Sequence, residues 1–209
     1  MGKPHIIIID HRNANIRSLK NAISNVCDGK LEVSSSTAKI NKADFLILPG
    51  VGAFPDSIKD IENKGLVEEL LYQALDKKKP FLGICLGMHL LFDSSTEGGL
   101  HKGLGLIPGK VEVLELKESY RIPHIGWNDI EFQQNNPIFK SLGADTNFYF
   151  VHSYHVKCKT EYVIAQVDYD QKITAAVQKE NILGFQFHPE KSQKNGSILL
   201  ENFFNESYF

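Results

Sequence analysis

The residues with most chemistry to offer are a cysteine set between glycines and a histidine placed two positions before a glutamate. Gly83-Ile84-Cys85-Leu86-Gly87 follows a buried apolar run and opens a helical one. A nucleophile on so sharp a turn needs small neighbours, because its backbone is strained and flanking Cβ atoms would clash. At a helix N-terminus, free N–H groups and the helix dipole favour a thiolate at Cys85. The N–H of Leu86 would face an oxyanion forming on the attacked carbonyl. Gln186-Phe187-His188-Pro189-Glu190 supplies the base that Cys85 lacks. In extended backbone, residues two apart project to one side, so His188 and Glu190 can meet, and Pro189 stiffens the link. The carboxylate would orient the imidazole, which would shuttle the proton between sulfur and leaving group. Pro49-Gly50-Val51-Gly52 ends another apolar run, and the amide of Val51 or Gly52 would be a second oxyanion donor.

Each piece alone has a plainer reading. The cysteine segment fits a buried Cys in a Gly-flanked turn, His-Pro-Glu fits a strand end, and Pro-Gly marks many strand-to-helix loops. Together they are far more specific. In the α/β-hydrolase elbow the acid precedes the histidine, usually at long range. Here Glu190 follows His188, which disfavours a hydrolase of that type.

The elements that must position these groups alternate in the first half. Ile6–Asp10, Phe45–Leu48 and Phe81–Cys85 are short apolar runs. Between them lie helical patterns from about Asn15 to Val26, from about Asp56 to Lys78 with a break near Gly65, and over Leu86–Phe92. Short apolar runs between helices predict a parallel sheet covered on both faces. The second half carries strand-like segments at Lys110–Leu116, Ile130–Phe132, Phe148–Lys157, Tyr162–Asp168, Thr174–Gln178 and Ile182–Phe187. They predict an antiparallel extension, closed by a helix over about Gly196–Phe204. The fold class is α/β, one domain over 1–209, with a central mixed, mostly parallel sheet flanked by helices.

The bulk numbers fit that reading. A chain of 209 residues with 42% hydrophobic and 23% charged residues is an ordinary globular composition. Its formal charge of −2 carries no basic block, so neither nucleic acid nor an anionic membrane is an expected partner. Cys27, Cys85 and Cys158 stand too far apart for a disulfide framework or a zinc pair. His152 and His155, three apart on a predicted strand, fall on opposite faces, and no metal is expected. The apolar stretch at Ile6–Ile9 is too short for a signal peptide or a membrane span, so a cytoplasmic location is expected.

With these pieces assembled, the sequence resembles the class I (triad) glutamine amidotransferases, and within them the glutaminase subunits of imidazole glycerol phosphate synthase. The cysteine elbow and His188-Pro189-Glu190 are general to the class. Pro123-His124-Ile125-Gly126-Trp127-Asn128 and Tyr149-Phe150-Val151-His152-Ser153-Tyr154 are the subfamily's own pieces. The resemblance implies a flavodoxin-like glutaminase fold docked on a separate (β/α)8-barrel cyclase subunit. Glutamine would give a thioester on Cys85, water would hydrolyse it, and ammonia would pass to the barrel for histidine biosynthesis. It implies that Gly52, Leu86, Glu97 and His152-Ser153-Tyr154 line the glutamine site. Asn15, Trp127, Tyr149 and Lys191 would face the cyclase. No cofactor is implied.

Two sites depart from the family's pattern. Asp10-His11-Arg12-Asn13-Ala14-Asn15 stands where the family has Asp-Tyr-Gly-x-Gly-Asn, so two glycines are lost from a loop near the site. His89 replaces the Gln of Cys-Leu-Gly-Met-Gln, one helical turn beyond Cys85 and on its face. A histidine there still donates a hydrogen bond to substrate, with a shorter reach and a charge that depends on pH. These departures leave two other readings open. One is a paralogous glutaminase supplying ammonia to a surface-sugar modification pathway. The other is a non-catalytic regulatory partner of the cyclase.

Overall fold

Four consecutive isoleucines cannot all face one side of a strand, and the sheet they enter is covered on both faces. A computed structural model describes residues 2–11, 15–133 and 135–205. Its elements begin with β1 (His5–Ile9), α1 (Ile16–Val26), β2 (Lys30–Ser34), α2 (Thr37–Lys42), β3 (Phe45–Gly50), α3 (Phe54–Asn63) and α4 (Val67–Leu71). β4 (Phe81–Cys85), α5 (Leu86–Leu90), β5 (Phe92–Ser95), β6 (His101–Lys102), β7 (Ile107–Val113) and β8 (His124–Phe132) follow. The chain closes with β9 (Asn147–His152), β10 (Tyr154–Cys158), β11 (Val163–Tyr169), β12 (Gln171–Lys179), β13 (Ile182–Phe185) and α6 (Gln193–Phe203).

Among the described residues the main sheet runs in the order β2-β1-β3-β4-β13-β12-β11-β8-β9. The first five strands pair in parallel. That is the 2-1-3-4-5 order of flavodoxin-like folds, in which ligands bind beyond the carboxyl ends of the strands. The last four strands add on antiparallel to their neighbours. β1 shows why the parallel part reads as unbroken apolar sequence. Ile6 and Ile8 enter one core with Leu19 and Ile23 of α1 and Leu199, Leu200 and Phe203 of α6. Ile7 and Ile9 enter the opposite core with Phe54, Ile58 and Ile61 of α3 and Leu70 of α4. A strand buried on both faces needs an apolar residue at every position.

Several sequence expectations are corrected here. β2 and α2 were not anticipated. β2 is an edge strand of mostly half-buried residues, Lys-Leu-Glu-Val-Ser, with too little alternation to stand out. The helix after Cys85 stops at Leu90 rather than Phe92, because Phe92 pairs with Ile107 in a smaller sheet of order β10-β7-β5-β6. The predicted run Phe148–Lys157 is two strands that break at Ser153 and enter different sheets, so strand periodicity does not relate His152 to His155. The expected break near Gly65 is present, with Gly65 at φ 64° between α3 and α4. Arg12, Asn13 and Ala14 of the departing loop lie outside the described residues.

Candidate active site

Cys85 ends β4 with φ 53° and ψ −111°, in the left-handed half of backbone space that an L-residue avoids. Such a conformation costs about 1–3 kcal/mol and persists only where its surroundings enforce it. The enforcement is close packing of the elbow on β3. A Cβ on Gly87 would lie 1.7 Å from the Leu48 carbonyl oxygen, and one on Gly83 would lie 2.7 Å from the Gly87 oxygen. Only glycine lets the three backbones meet, and that places Cys85 beside Gly50 in the β3–β4 ladder.

β13, the neighbour of β4 on the other side, leads into Gln186-Phe187-His188 at the same edge of the sheet. The His188 N–H donates to the Tyr149 carbonyl at 3.0 Å. The Ser192 hydroxyl donates to the His188 carbonyl at 2.7 Å and accepts from the Tyr149 N–H at 3.1 Å. The ring is therefore fixed through its backbone to β9. His188 Nδ1 donates to Glu190 Oε1 at 2.8 Å, with side-chain exposures of 2% and 3%. The contact expected from sequence is present, but extended backbone is not its cause: Pro189–Lys191 forms a 3₁₀ turn that folds the carboxylate back onto the ring.

Burial penalises charge on His188. The hydrogen bond and charge of Cys85, together with those of Glu190, outweigh it and push the imidazole up to about 10. The fold thus favours an imidazolium, with its free nitrogen Nε2 buried on the Cys85 side. The Cys85 sulfur lies 3.8 Å from the Val151 carbonyl oxygen, and the Gln186 amide nitrogen lies 4.0 Å from the sulfur.

These groups open onto a cavity of about 450 Å³ lined by Cys85 and His188, by Val51, Gly52 and Leu86, and by His89, Glu97, His152, Ser153 and Tyr154. Every residue proposed from sequence for substrate or oxyanion contact lines this cavity. Gly52 has φ 93°, a value that frees its amide to turn toward a ligand. Sequence reasoning missed Pro123 and Val151, which also line the cavity. Both lie inside motifs that had been quoted, so their position was available but not their direction.

Three residues do something beyond what the sequence implied. Glu97 accepts from the Phe54 N–H at 2.9 Å, so it caps α3 as well as bordering the cavity. Its carboxyl is raised by burial, against the pull of that N–H. His89 is buried and pushed down to about 4, chiefly by burial, so it is neutral. Its Nε2 lies 2.8 Å from Gln186 Oε1, which only accepts, so Nε2 carries the proton. Lys191, expected to face a partner, lines the cavity and holds its ammonium 5.2 Å over the Tyr149 ring. The Tyr149 ring meets that of Trp127 edge-on at 5.9 Å, so these three form a row from the cavity mouth to the outside. Trp127 is 43% exposed, and Ile125, two positions before it on β8, and Ile122, which shares a surface recess with Ile125, are exposed too; sequence reasoning singled out only Trp127 of the three. Asn15 lies apart from that row, in a small recess with Val51, His188 and Glu190.

A strained cysteine elbow beside a buried His–Glu pair brings together the groups that thiol-dependent acyl transfer requires, and the fold carrying them is that of known amidotransferases. A crystal structure of a glutamine amidotransferase superposes with a TM-score of 0.71 at 18% identity, covering 94% of this chain and 96% of the other. PurLQS from Thermotoga maritima gives 0.72 at 18%, covering 99% and 100%. The glutamine amidotransferase class-I profile matches residues 8–207, and the chain belongs to that family. Within it, imidazole glycerol phosphate synthase subunit HisH 2 of Vibrio vulnificus is 49% identical over 198 residues, 95% of this chain and 92% of the relative. Subunit HisH of Aquifex aeolicus is 43% identical over 198 residues, 94% of each.

Proposed function

We propose that this chain is the glutaminase subunit of an imidazole glycerol phosphate synthase, hydrolysing glutamine at Cys85 and passing ammonia to a (β/α)8-barrel cyclase subunit in the cytoplasm. The observation that carries the reading is that Cys85, His188 (bonded to Glu190 behind it) and Val51, Gly52 and Leu86 line one cavity. The identity of 49% with a HisH subunit along nearly the whole chain supports the particular assignment. A cavity of about 450 Å³ is in the range that holds a molecule of glutamine's size.

The chemistry follows from the placement. Cys85 Sγ attacks the side-chain amide carbon of glutamine, and the amides of Leu86 and of Val51 or Gly52 stabilise the oxyanion. His188, protonated and held by Glu190, gives its proton to the nitrogen, and the C–N bond breaks to release ammonia. The neutral imidazole then takes a proton from water, whose oxygen attacks the thioester carbon. Glutamate leaves as the C–S bond breaks, and the sulfur regains its starting state. Glu97, His152, Ser153 and Tyr154 hold the substrate. Trp127, Tyr149 and the exposed Ile122 and Ile125 offer the apolar surface on which the barrel docks, and Lys191 and Asn15 join it from the cavity side and the adjoining recess.

The test is ammonia and glutamate release from glutamine by this chain alone and with its own cyclase, with and without the histidine-pathway nucleotide. Strong stimulation by cyclase plus nucleotide is expected. Cys85→Ala should abolish hydrolysis and still bind the cyclase. Stimulation indifferent to the nucleotide would move the chain to the surface-sugar pathway, a paralogue reading favoured by His89 and the altered loop. No hydrolysis under any condition would leave only the regulatory role.

A further inference from the structure

His124 and His152 face each other across the β8–β9 ladder as a directly opposed pair. Both are buried, and their rings make one continuous polar line through an apolar layer. His152 Nδ1 lies 2.8 Å from the Tyr154 carbonyl oxygen, His152 Nε2 lies 3.0 Å from His124 Nδ1, and His124 Nε2 lies 2.8 Å from Asn128 Oδ1. The His124 ring stacks on Tyr169 at 3.9 Å and on Phe150 at 4.9 Å, within 18° of both planes, so it cannot turn.

The protons on this line can be assigned in turn. A carbonyl only accepts, so His152 Nδ1 is the protonated nitrogen. Burial and the neighbouring histidines keep His152 neutral, so its Nε2 is a lone pair and must accept. His124 Nδ1 therefore donates. Burial disfavours charge on His124 as well, so with Nδ1 donating its Nε2 accepts in turn. The proton order therefore turns the Asn128 amide end for end, exchanging Oδ1 for the amide nitrogen at the 2.8 Å contact, an assignment that only the hydrogen-bond network decides. The result is a one-way chain of donors from Asn128 through His124 and His152 to Tyr154.

That chain ends at the turn where the backbone leaves the main sheet and forms one wall of the cavity. The Ser153 carbonyl accepts from the Leu114 N–H at 2.9 Å, and the Tyr154 carbonyl accepts from His152, so the turn is held from both sides. We propose that His124 is a positioning residue for the glutamine site: its Nδ1–H locks the His152 tautomer, and the locked ring holds the His152-Ser153-Tyr154 turn in its substrate-binding shape. β8 thereby carries the relay on its inner face and the exposed Ile125 and Trp127 on its outer one. The effect on turnover rests on the glutaminase reading, whereas the tautomer does not.

The experiment uses the full chain with its barrel subunit and the variants His124→Phe and His124→Asn. Phenylalanine keeps the stacking between Phe150 and Tyr169 and removes the donor, and asparagine puts a donor near the position of Nδ1. For His124→Phe the KM for glutamine should rise roughly fivefold, the effect of one buried neutral hydrogen bond, with kcat within about twofold. His124→Asn should restore most of the loss. Nitrogen-15 NMR of the ring nitrogens should find His152 protonated at Nδ1 alone in the native chain and mixed in His124→Phe. A native His152 protonated at Nε2, or a KM unmoved in His124→Phe, overturns the proposal. If the native chain hydrolyses no glutamine the glutaminase reading fails, and the NMR arm, which needs only native protein, still decides the relay.

Discussion

Adding one methyl group to Gly87 tests how the elbow is built. The Cβ of Gly87→Ala would lie 1.7 Å from the Leu48 oxygen, 2.7 Å from the Leu48 carbonyl carbon and 3.2 Å from that of Pro49. All three are backbone atoms of β3, so no side chain can swing aside. Ordinary contact needs about 3.5 Å, so β3 and the elbow must part by more than an ångström. Overpacking of that kind costs about 3 kcal/mol, which lowers Tm by roughly 6–12 °C in a chain of this size. The strand that moves carries Val51 and Gly52 on its far end, so the loss does not stop at stability. A misplacement of about 1 Å in a catalytic group costs on the order of a hundredfold in rate. Gly143→Ala is the control, because its Cβ would meet nothing within 4 Å. Its Tm should move by no more than about 2 °C. Thermal unfolding and steady-state glutaminase assays with the barrel subunit read both effects. If Gly87→Ala matches the control in Tm and keeps activity within twofold, β3 does not pack on the elbow as described.

Two further substitutions probe the buried polar groups. Glu190→Gln keeps an acceptor for His188 Nδ1 but removes the charge, and should lower kcat/KM roughly ten- to a hundredfold, about 1.5–3 kcal/mol. Because the fold raises His188 from 6.5 to about 10, the stability it contributes is whole below pH 6.5 and is lost as pH climbs toward 10. In Glu190→Gln that loss should be smaller and complete at lower pH, and pH-dependent denaturant unfolding that matches the native chain would contradict it. His89→Leu leaves Gln186 Oε1 buried without its donor and should cost about 1–3 kcal/mol in denaturant unfolding. An unchanged midpoint would mean that the His89–Gln186 bond contributes nothing to the folded state.

Much of the architecture was legible because it is written locally. Ile6–Asp10, Phe45–Leu48 and Phe81–Cys85 announced strands buried on both faces, and they match β1, β3 and β4 to within two residues at each end. β5 was not legible. Phe92-Asp93-Ser94-Ser95 has no strand-like alternation and owes its conformation to pairing with β6 and β7. β8 was seen only in its last residues, because Gly126, Trp127 and Asn128 interrupt the apolar pattern that burial beside β9 and β11 makes unnecessary.

The reagents of the site were also written locally: the glycines that admit a strained cysteine, the histidine and the glutamate two positions on. A turn's steric needs and a side chain's chemistry are properties of a few adjacent residues. What sequence could not decide is which distant groups meet. Gln186 reaches the Cys85 sulfur across 101 positions, and His124 reaches His152 across 28. His89 lines the cavity and its Nε2 meets Gln186 across 97 positions, and Lys191 lines the same cavity while its ammonium sits over the Tyr149 ring. Those meetings depend on the order and register of the strands, which are set by the packing of both cores at once and by no segment alone.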